Sequence, residues 1–392
     1  MRKYIYMDNS ATTPVKKEVL DEMLPYFTEK YGNPSSIYSL GSDSKVAVEK
    51  AREQVAKALG ADKKEIFFTA GGSESDNWAI KGFALKNKNK GNHIITSNIE
   101  HHAVLHTCEY LEKNGFEVTY LNVDEFGMVN LEELKAAITD KTILISIMFA
   151  NNEIGTIQPI KEIGEIAKTR NIFFHTDAVQ AIGNIKIDVK EMNIDSLSLS
   201  AHKFYGPKGV GVLYVKQGIK MESLIAGGGQ ERSRRAGTEN VPGIVGLGKA
   251  IELSYENLDV KNEKLIVLRE RLIKKIEENI KFVRLNGHRT NRLPGNVNFC
   301  FQYIEGESLL LSLDMEGIAG SSGSACTSGT LDPSHVLLAI GLPHEIAHGS
   351  LRLSLGNFNT EEEVDYVVEK LVEIVDRLRK MSPLYDKIKE EI

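Results

Sequence analysis

From about residue 66 to residue 174 the sequence alternates short, wholly apolar runs with longer amphipathic stretches. The apolar runs predict strands over 66–69, 93–96, 118–121, 143–149 and 172–174. Between them a helical periodicity predicts helices over 74–84, 102–113, 131–137 and 160–168. A strand that is apolar on both faces must be covered on both faces. The repetition therefore predicts an α/β fold with a mostly parallel sheet between helical layers. Apolar runs over 197–200 and 210–215 extend it, and helices over 15–29 and 44–59 precede it, the second stopping at Gly60.

The pattern changes after about Glu252. A charged amphipathic helix over 262–279 leads to a strand over 296–301, a helix over 308–315, a loop around Cys326, a strand over 350–355 and a helix over 360–380. This reads as a smaller α+β domain, and 392 residues exceed what one core usually supports. The formal net charge is -6 and no long basic run is present, which weighs against a nucleic-acid partner. No apolar stretch is long enough to span a bilayer, and the first residues do not read as a signal peptide. The 3 cysteines are too few and too odd for a disulfide framework or a four-thiolate cluster, and suit a reducing cytoplasm.

In open parallel sheets ligands sit beyond the carboxyl ends of the strands, and unusual residues fall there. Lys203 follows the run 197–200 and precedes the turn Gly206-Pro207-Lys208-Gly209. At a buried strand end its ammonium would lose hydration, leaving an amine able to attack a carbonyl; a surface lysine is the plainer alternative. Gly71-Gly72-Ser73-Glu74 suits an anion at a helix start, or an ordinary turn. Asp177, within His175-Thr176-Asp177-Ala178-Val179-Gln180, needs a cationic side chain or a ring nitrogen, or else caps a helix. Asn151-Asn152-Glu153 can read a ligand's oxygens or cap a turn. Glu100-His101-His102, with His106 one turn on, favours a stacking or proton-moving imidazole over a metal site, since no second set of ligands is apparent.

The run from Ser321 to Thr330 is too small-sided to pack a core and reads as a mobile loop. Its exposed Cys326 is a candidate nucleophile, whereas Cys108 in a helix and Cys300 in a strand read as core fillers. Residues 227–238 form a flexible stretch with Arg232, Arg234 and Arg235, and Arg352 lies in an apolar strand. Either could clamp a carboxylate or form a structural ion pair. Pyridoxal phosphate accounts for the lysine, the carboxylate, the anion cradle and the imidazole together.

At this point the chain resembles the cysteine desulfurases of the NifS/IscS type, within the class V aminotransferase family. The resemblance runs nearly end to end. It rests on Asp8-Asn9-Ser10-Ala11-Thr12-Thr13, Gly32-Asn33-Pro34-Ser35-Ser36, Asn151-Asn152-Glu153-Ile154-Gly155, the Asp177 motif, Ser200-Ala201-His202-Lys203, Arg235-Ala236-Gly237-Thr238 and the Cys326 loop. Ser10 departs from the family's usual second asparagine.

The resemblance implies a pyridoxal-phosphate-dependent transferase fold, aspartate aminotransferase-like, with a mostly parallel seven-stranded sheet. It implies a large domain of residues 14–257 and a small one of residues 1–13 and 258–392, the latter carrying the loop at about 321–333. Lys203 would bond the cofactor aldehyde and Asp177 the ring nitrogen. His101 would stack on the ring and move protons. Gln180 and Asn152 would contact the ring's phenolic oxygen or the substrate. Gly72, Ser73, Ser200 and His202 would hold the phosphate, with Thr238 reaching in from a second subunit of a homodimer. Arg352 would clamp the carboxylate of L-cysteine, and Cys326 would take the sulfur as a persulfide for an iron–sulfur scaffold or other acceptor. No intrinsic metal is implied, Cys326 being the residue that could ligate an iron–sulfur cluster in passing. The alternatives are an aminotransferase or selenocysteine lyase on the same fold, a non-catalytic sulfur carrier, and a cysteine hydrolase pairing Cys326 with His335.

Overall fold

In chain order the strands are β1 (Ile5–Tyr6), β2 (Ile66–Thr69), β3 (His93–Ser97), β4 (Glu117–Leu121), β5 (Thr142–Ser146), β6 (Phe173–Asp177), β7 (Ser196–Ser200), β8 (Gly211–Val215), β9 (Val283–Leu285), β10 (Asn296–Phe301), β11 (Ile318–Ala319) and β12 (Ser350–Ser354). The computed structural model describes residues 4–322, 333–383 and 385. Cys326 and most of its predicted loop lie outside the described residues.

Seven strands form one sheet in the order β2-β8-β7-β6-β5-β3-β4. Every pairing is parallel except the two made by β8, so β8 alone runs against the rest. β3, β5, β6, β7 and β8 are buried at every residue, as strands covered on both faces must be. The chain leaves β3 for β4 on one side, then returns to place β5, β6 and β7 on the other. That reversal opens a crevice at the carboxyl ends of the strands.

A second core surrounds the antiparallel order β12-β10-β9 and is covered by the helices Leu258–Asn279 and Glu361–Lys380. Met7 is fully buried in it, and β1 pairs with β11. The chain's first residues thus pack beside its last strands.

Several elements depart from the expected boundaries. The helix expected over 15–29 breaks into Lys17–Met23 and Pro25–Thr28, because Pro25 has no N–H to continue the first. The helix expected over 74–84 runs as Gly72–Asn77, widens to a π turn over Trp78–Gly82 and resumes as Phe83–Asn87. There Trp78 is buried and its indole N–H donates to the Glu222 carbonyl at 2.9 Å. The strand expected over 143–149 ends at Ser146. The helix Val241–Tyr255, packed on the helix Ser39–Leu59 in the large core, had no counterpart among the expected elements. No helix among the described residues is long and apolar enough to cross a membrane.

Candidate active site

Because the strands are mostly parallel, their carboxyl ends deliver one residue set to one edge. β2 leads to Gly72 and Ser73, β3 to Glu100 and His101, β5 to Met148 and Asn152, β6 ends at Asp177, and β7 leads to Ser200, His202 and Lys203. All of these but Glu100, which lies buried behind them, line a cavity of about 330 Å3, as do Gln180 and Arg352. A neighbouring cavity of about 480 Å3 lies against Gly72, Ser73, Ser200 and His202.

Asp177 is only 7% exposed. Its Oδ1 accepts from the Val179 N–H at 2.9 Å. Burial, with Asp76 nearby, pushes its carboxyl up to about 7, opposed by His101 and His175. His101 caps the helix His102–Glu112, its Nδ1 accepting from the Ala103 N–H at 3.1 Å, so a neutral ring carries its proton on Nε2. Burial, Lys203, His102 and His335 hold His101 below the usual imidazole range, against the opposing pull of Asp177.

Lys203 is half-buried in a 3-10 turn, Ala201–Lys203, one step beyond the strand end where it was expected. Its Nζ donates to the Ser10 and Ala11 carbonyls at 2.5 and 2.8 Å. Gln180 Nε2 donates to the same Ser10 carbonyl at 2.9 Å, and His202 Nδ1 lies 3.0 Å from Thr12 Oγ1. The N-terminal segment thus forms a wall of the site. Burial, with Lys203 and Lys208, lowers His202 to about 4, so its ring is neutral.

Arg352 is 3% exposed on β12. It pairs with Asp8 Oδ1 at 2.9 Å and donates to the Asn152 carbonyl at 3.1 Å, while its Nε is buried without a partner. The residue expected to be the clamp thus also makes a structural pair. The arginine segment, expected to be flexible, is instead pinned. Glu231 accepts from Arg52 at 2.8 and 2.9 Å, both side chains being nearly fully buried. Arg235 makes two bonds to Glu74, at 2.8 and 3.1 Å. Thr238 is exposed and does not line the cavity of its own chain. Cys108 and Cys300 are free and buried, as expected of core fillers.

Three participants escape the sequence reading. Asp76, on the first turns after Gly72, is buried against His175 with Oδ1 3.2 Å from Nε2. Glu100 is fully buried, accepting from Ser97 Oγ at 2.6 Å and the Met148 N–H at 2.9 Å. Asp8 is the ion-pair partner of Arg352. A carboxylate beside an otherwise apolar helix face is the one local signal for Asp76; the pairing of Asp8 with Arg352 has none. The structure also brings His335 to His102, with ring centroids 4.9 Å apart, and His106 to His102 at 5.0 Å. Among the described residues, however, no group of three or more such side chains is arranged to hold a metal ion.

The residues fit pyridoxal phosphate. A ring N–H⁺ would answer the buried Asp177 carboxyl. The flanking cavity at Gly72 and Ser73 offers helix-start N–H groups to a phosphate. A side chain at Gly72 would crowd this cradle, since a Cβ there would meet Val179 Cγ2 at 2.7 Å.

The Aminotransferase class-V family matches residues 5–367. The chain is 67% identical to a cysteine desulfurase IscS of Clostridium botulinum, covering 100% of both chains. It is 65% identical to that of Methanosarcina thermophila, covering 98% of this chain and 95% of the relative. A solved NifS-like protein superposes with a TM-score of 0.90 at 43% identity, over 96% of this chain and 100% of the other. A structure described as SspA in complex with cysteine superposes at 0.81 with 41% identity, over 91% and 99%. The chain belongs to the class-V aminotransferase family, in which pyridoxal phosphate is the cofactor, and within it to the NifS/IscS-type cysteine desulfurases.

Proposed function

We propose that this protein is a cysteine desulfurase that takes sulfur from L-cysteine, leaving L-alanine and a persulfide on Cys326 for transfer to acceptors that build iron–sulfur clusters. The observation that carries the reading is Asp177, a carboxyl buried at the end of β6 and facing the same cavity as His101 and Lys203. When bound, pyridoxal phosphate supplies an aldehyde that bonds amines and a ring that accepts the electron pair of a broken Cα–H bond.

The chain's residues then divide the work. Asp177 holds the ring nitrogen, Gly72, Ser73, Ser200 and His202 hold the phosphate, and Gln180 and Asn152 orient the ring oxygen and the substrate. His101 covers the ring face and presents Nε2–H. Lys203 Nζ takes the α-proton and returns one, helped by the carbonyls of Ser10 and Ala11 that aim it. Arg352 binds the substrate carboxylate. The Cys326 thiolate attacks the substrate sulfur, so that an S–S bond forms as the C–S bond breaks and the carbon gains a proton.

A homodimer of cytoplasmic protein completes the reading. Phe27, Tyr31, Ile37 and Tyr38 are large apolar side chains exposed close together in sequence, and Thr238, which is exposed, would serve the second subunit. The two largest apolar clusters, one drawn from residues 19–251 and the other from Met7 and residues 265–375, support the division at residues 257 and 258, with residues 1–13 in the small domain.

The test is the Cys326→Ala variant assayed with L-cysteine under a reductant. Alanine and sulfide release are expected to fall by about a hundredfold or more, as on loss of a nucleophile. Full release by this variant would sink the desulfurase reading and favour a lyase on the same fold.

A further inference from the structure

Three carboxyls crowd the floor of the site: Asp177, Asp76 and Glu100, exposed by 7%, 1% and 0%. His175 and Asp177 lie two residues apart on β6 and so project to the same face. His175 is fully buried, with Nε2 3.2 Å from Asp76 Oδ1 and Nδ1 3.2 Å from Ser196 Oγ on the adjoining β7. Burial lowers His175 to about 4, so the ring is neutral, while the Ser196 backbone favours a proton on it. A neutral imidazole has one donor and one acceptor. If Nδ1–H is turned toward Ser196, Nε2 must accept, and the group facing it must donate. A carboxyl donates only when protonated. The charged and titratable neighbours agree. Glu100 feels both Asp76 and Asp177, and the groups of opposite kind that face the cluster, His101 and Lys203, sit on the Asp177 side. Like charges this close in a low dielectric cannot all ionise.

We propose that Asp76 and His175 are positioning residues that keep Asp177 the one anion beneath the ring nitrogen: Asp76 bears a proton and donates it to His175 Nε2, and His175 donates Nδ1–H to Ser196. This deepens the reading above and rests on Asp177 as the ring-nitrogen partner. Asp76 thereby holds β6 against the helix Gly72–Asn77 without adding a second charge. Burial pushes Asp76 and Asp177 alike up to about 7, and a ring N–H⁺ beside Asp177 would settle the single negative charge there, leaving the proton on Asp76.

The deciding measurement is a long-range 1H–15N correlation spectrum of ¹⁵N-histidine-labelled wild-type protein at pH 6, without and with pyridoxal phosphate. His175 is expected to be protonated on Nδ1 and not on Nε2 in both. A proton on Nε2, or on both nitrogens, overturns the proposal. The cofactor-free spectrum decides proton placement even if the desulfurase reading fails.

Two variants supply the second arm. Asp76→Asn keeps a neutral donor to Nε2, so pyridoxal phosphate affinity and the pH midpoint of its visible band should stay within about threefold and about 0.3 unit of wild type. Asp76→Ala leaves the imidazole unpaired and should weaken cofactor binding about tenfold or more. An Asn variant as impaired as the Ala variant, or an Ala variant equal to wild type, overturns the proposal. Failure of a variant to fold leaves the wild-type spectrum to decide.

Discussion

Two regions of the protein bury carboxyl groups, and they do so in opposite ways. At Glu231 the carboxylate is met by two bonds from Arg52, and the Phe68 N–H adds a third at 3.0 Å. The backbone there is forced: Glu231, Arg232 and Ser233 have φ of 44°, 58° and 61°, a left-handed run that costs roughly 1–2 kcal/mol per residue. Such a run persists because the ion pair over-determines it. At the end of β6, burial instead drives Asp177 and Asp76 up to about 7 and Glu100 up to about 8. The first region ties a loop to the body of the fold with its buried carboxylate matched to a cation. The second holds carboxyls in a strained ionisation state against a cavity, which is how sites for charged ligands are built.

The largest effect should come from breaking the matched pair. Glu231→Ala takes the two-bond partner from the Arg52 guanidinium, buried at 4% exposure and left with Glu49 and the Ile66 carbonyl, and is expected to cost about 3 kcal/mol in urea unfolding. A loss below about 1 kcal/mol would mean that the pair is not what holds the loop, and the contrast would collapse.

Arg352 tests the boundary between the two kinds. It is paired like Arg52, yet it lines the cavity and keeps a buried Nε without a partner. Arg352→Lys removes the planar fork, so KM for L-cysteine should rise about 10- to 100-fold with a smaller change in kcat. An unchanged KM would move Arg352 into the structural class with Arg52.

The unmatched carboxyls leave their mark on pH dependence. Asp177 and Asp76 have folded pKa values raised from 3.8 to about 7, so each binds its proton more tightly in the folded protein. The stability they contribute is complete below about pH 4 and is lost as pH rises through about 7. Cofactor-free protein should therefore weaken between those limits, by about 1 kcal/mol or more, and Asp177→Asn should flatten the slope. Denaturation midpoints across that range check it. A profile that rises with pH would contradict the assignment.

The smallest effect is at the phosphate cradle. Gly72→Ala places a methyl 2.7 Å from Cγ2 of the stiff, β-branched Val179, which must shift, and is expected to cost about 1 kcal/mol of stability and a few-fold in cofactor affinity. Equilibrium dialysis of the variant against pyridoxal phosphate measures it.

These contrasts explain how much could be read beforehand. Most of the apolar runs within β2 to β8 were legible because burial on both faces leaves few polar positions to confuse the period, whereas the edge strand β4 buries only Leu121. Asp177, His101 and Lys203 were legible as polar residues at the ends of such runs. Asp76 was not, because a single acid on a helix declares nothing until the sheet it faces is known. The Arg52–Glu231 pair spans 179 residues, and nothing local to Arg232, Arg234 and Arg235 marks their segment as pinned. The short β1 and β11 exist through pairing with each other across the chain, so no run of their own announces them.

The N-terminal wall of the site carries a consequence for how the protein is made. Asp8 bonds Arg352 and the Ser10 N–H bonds Ser354 Oγ, each 344 residues away, while the Ser10 carbonyl receives Gln180 and Lys203. Asp8 and Ser10 therefore wait for a strand that is made 344 residues later before they find their seats. A nascent chain halted before β12 has translated its lysine, its aspartate and its histidine, yet lacks the strand that fixes the wall behind them. In the order of synthesis, the wall of the site is therefore complete only once β12 has emerged.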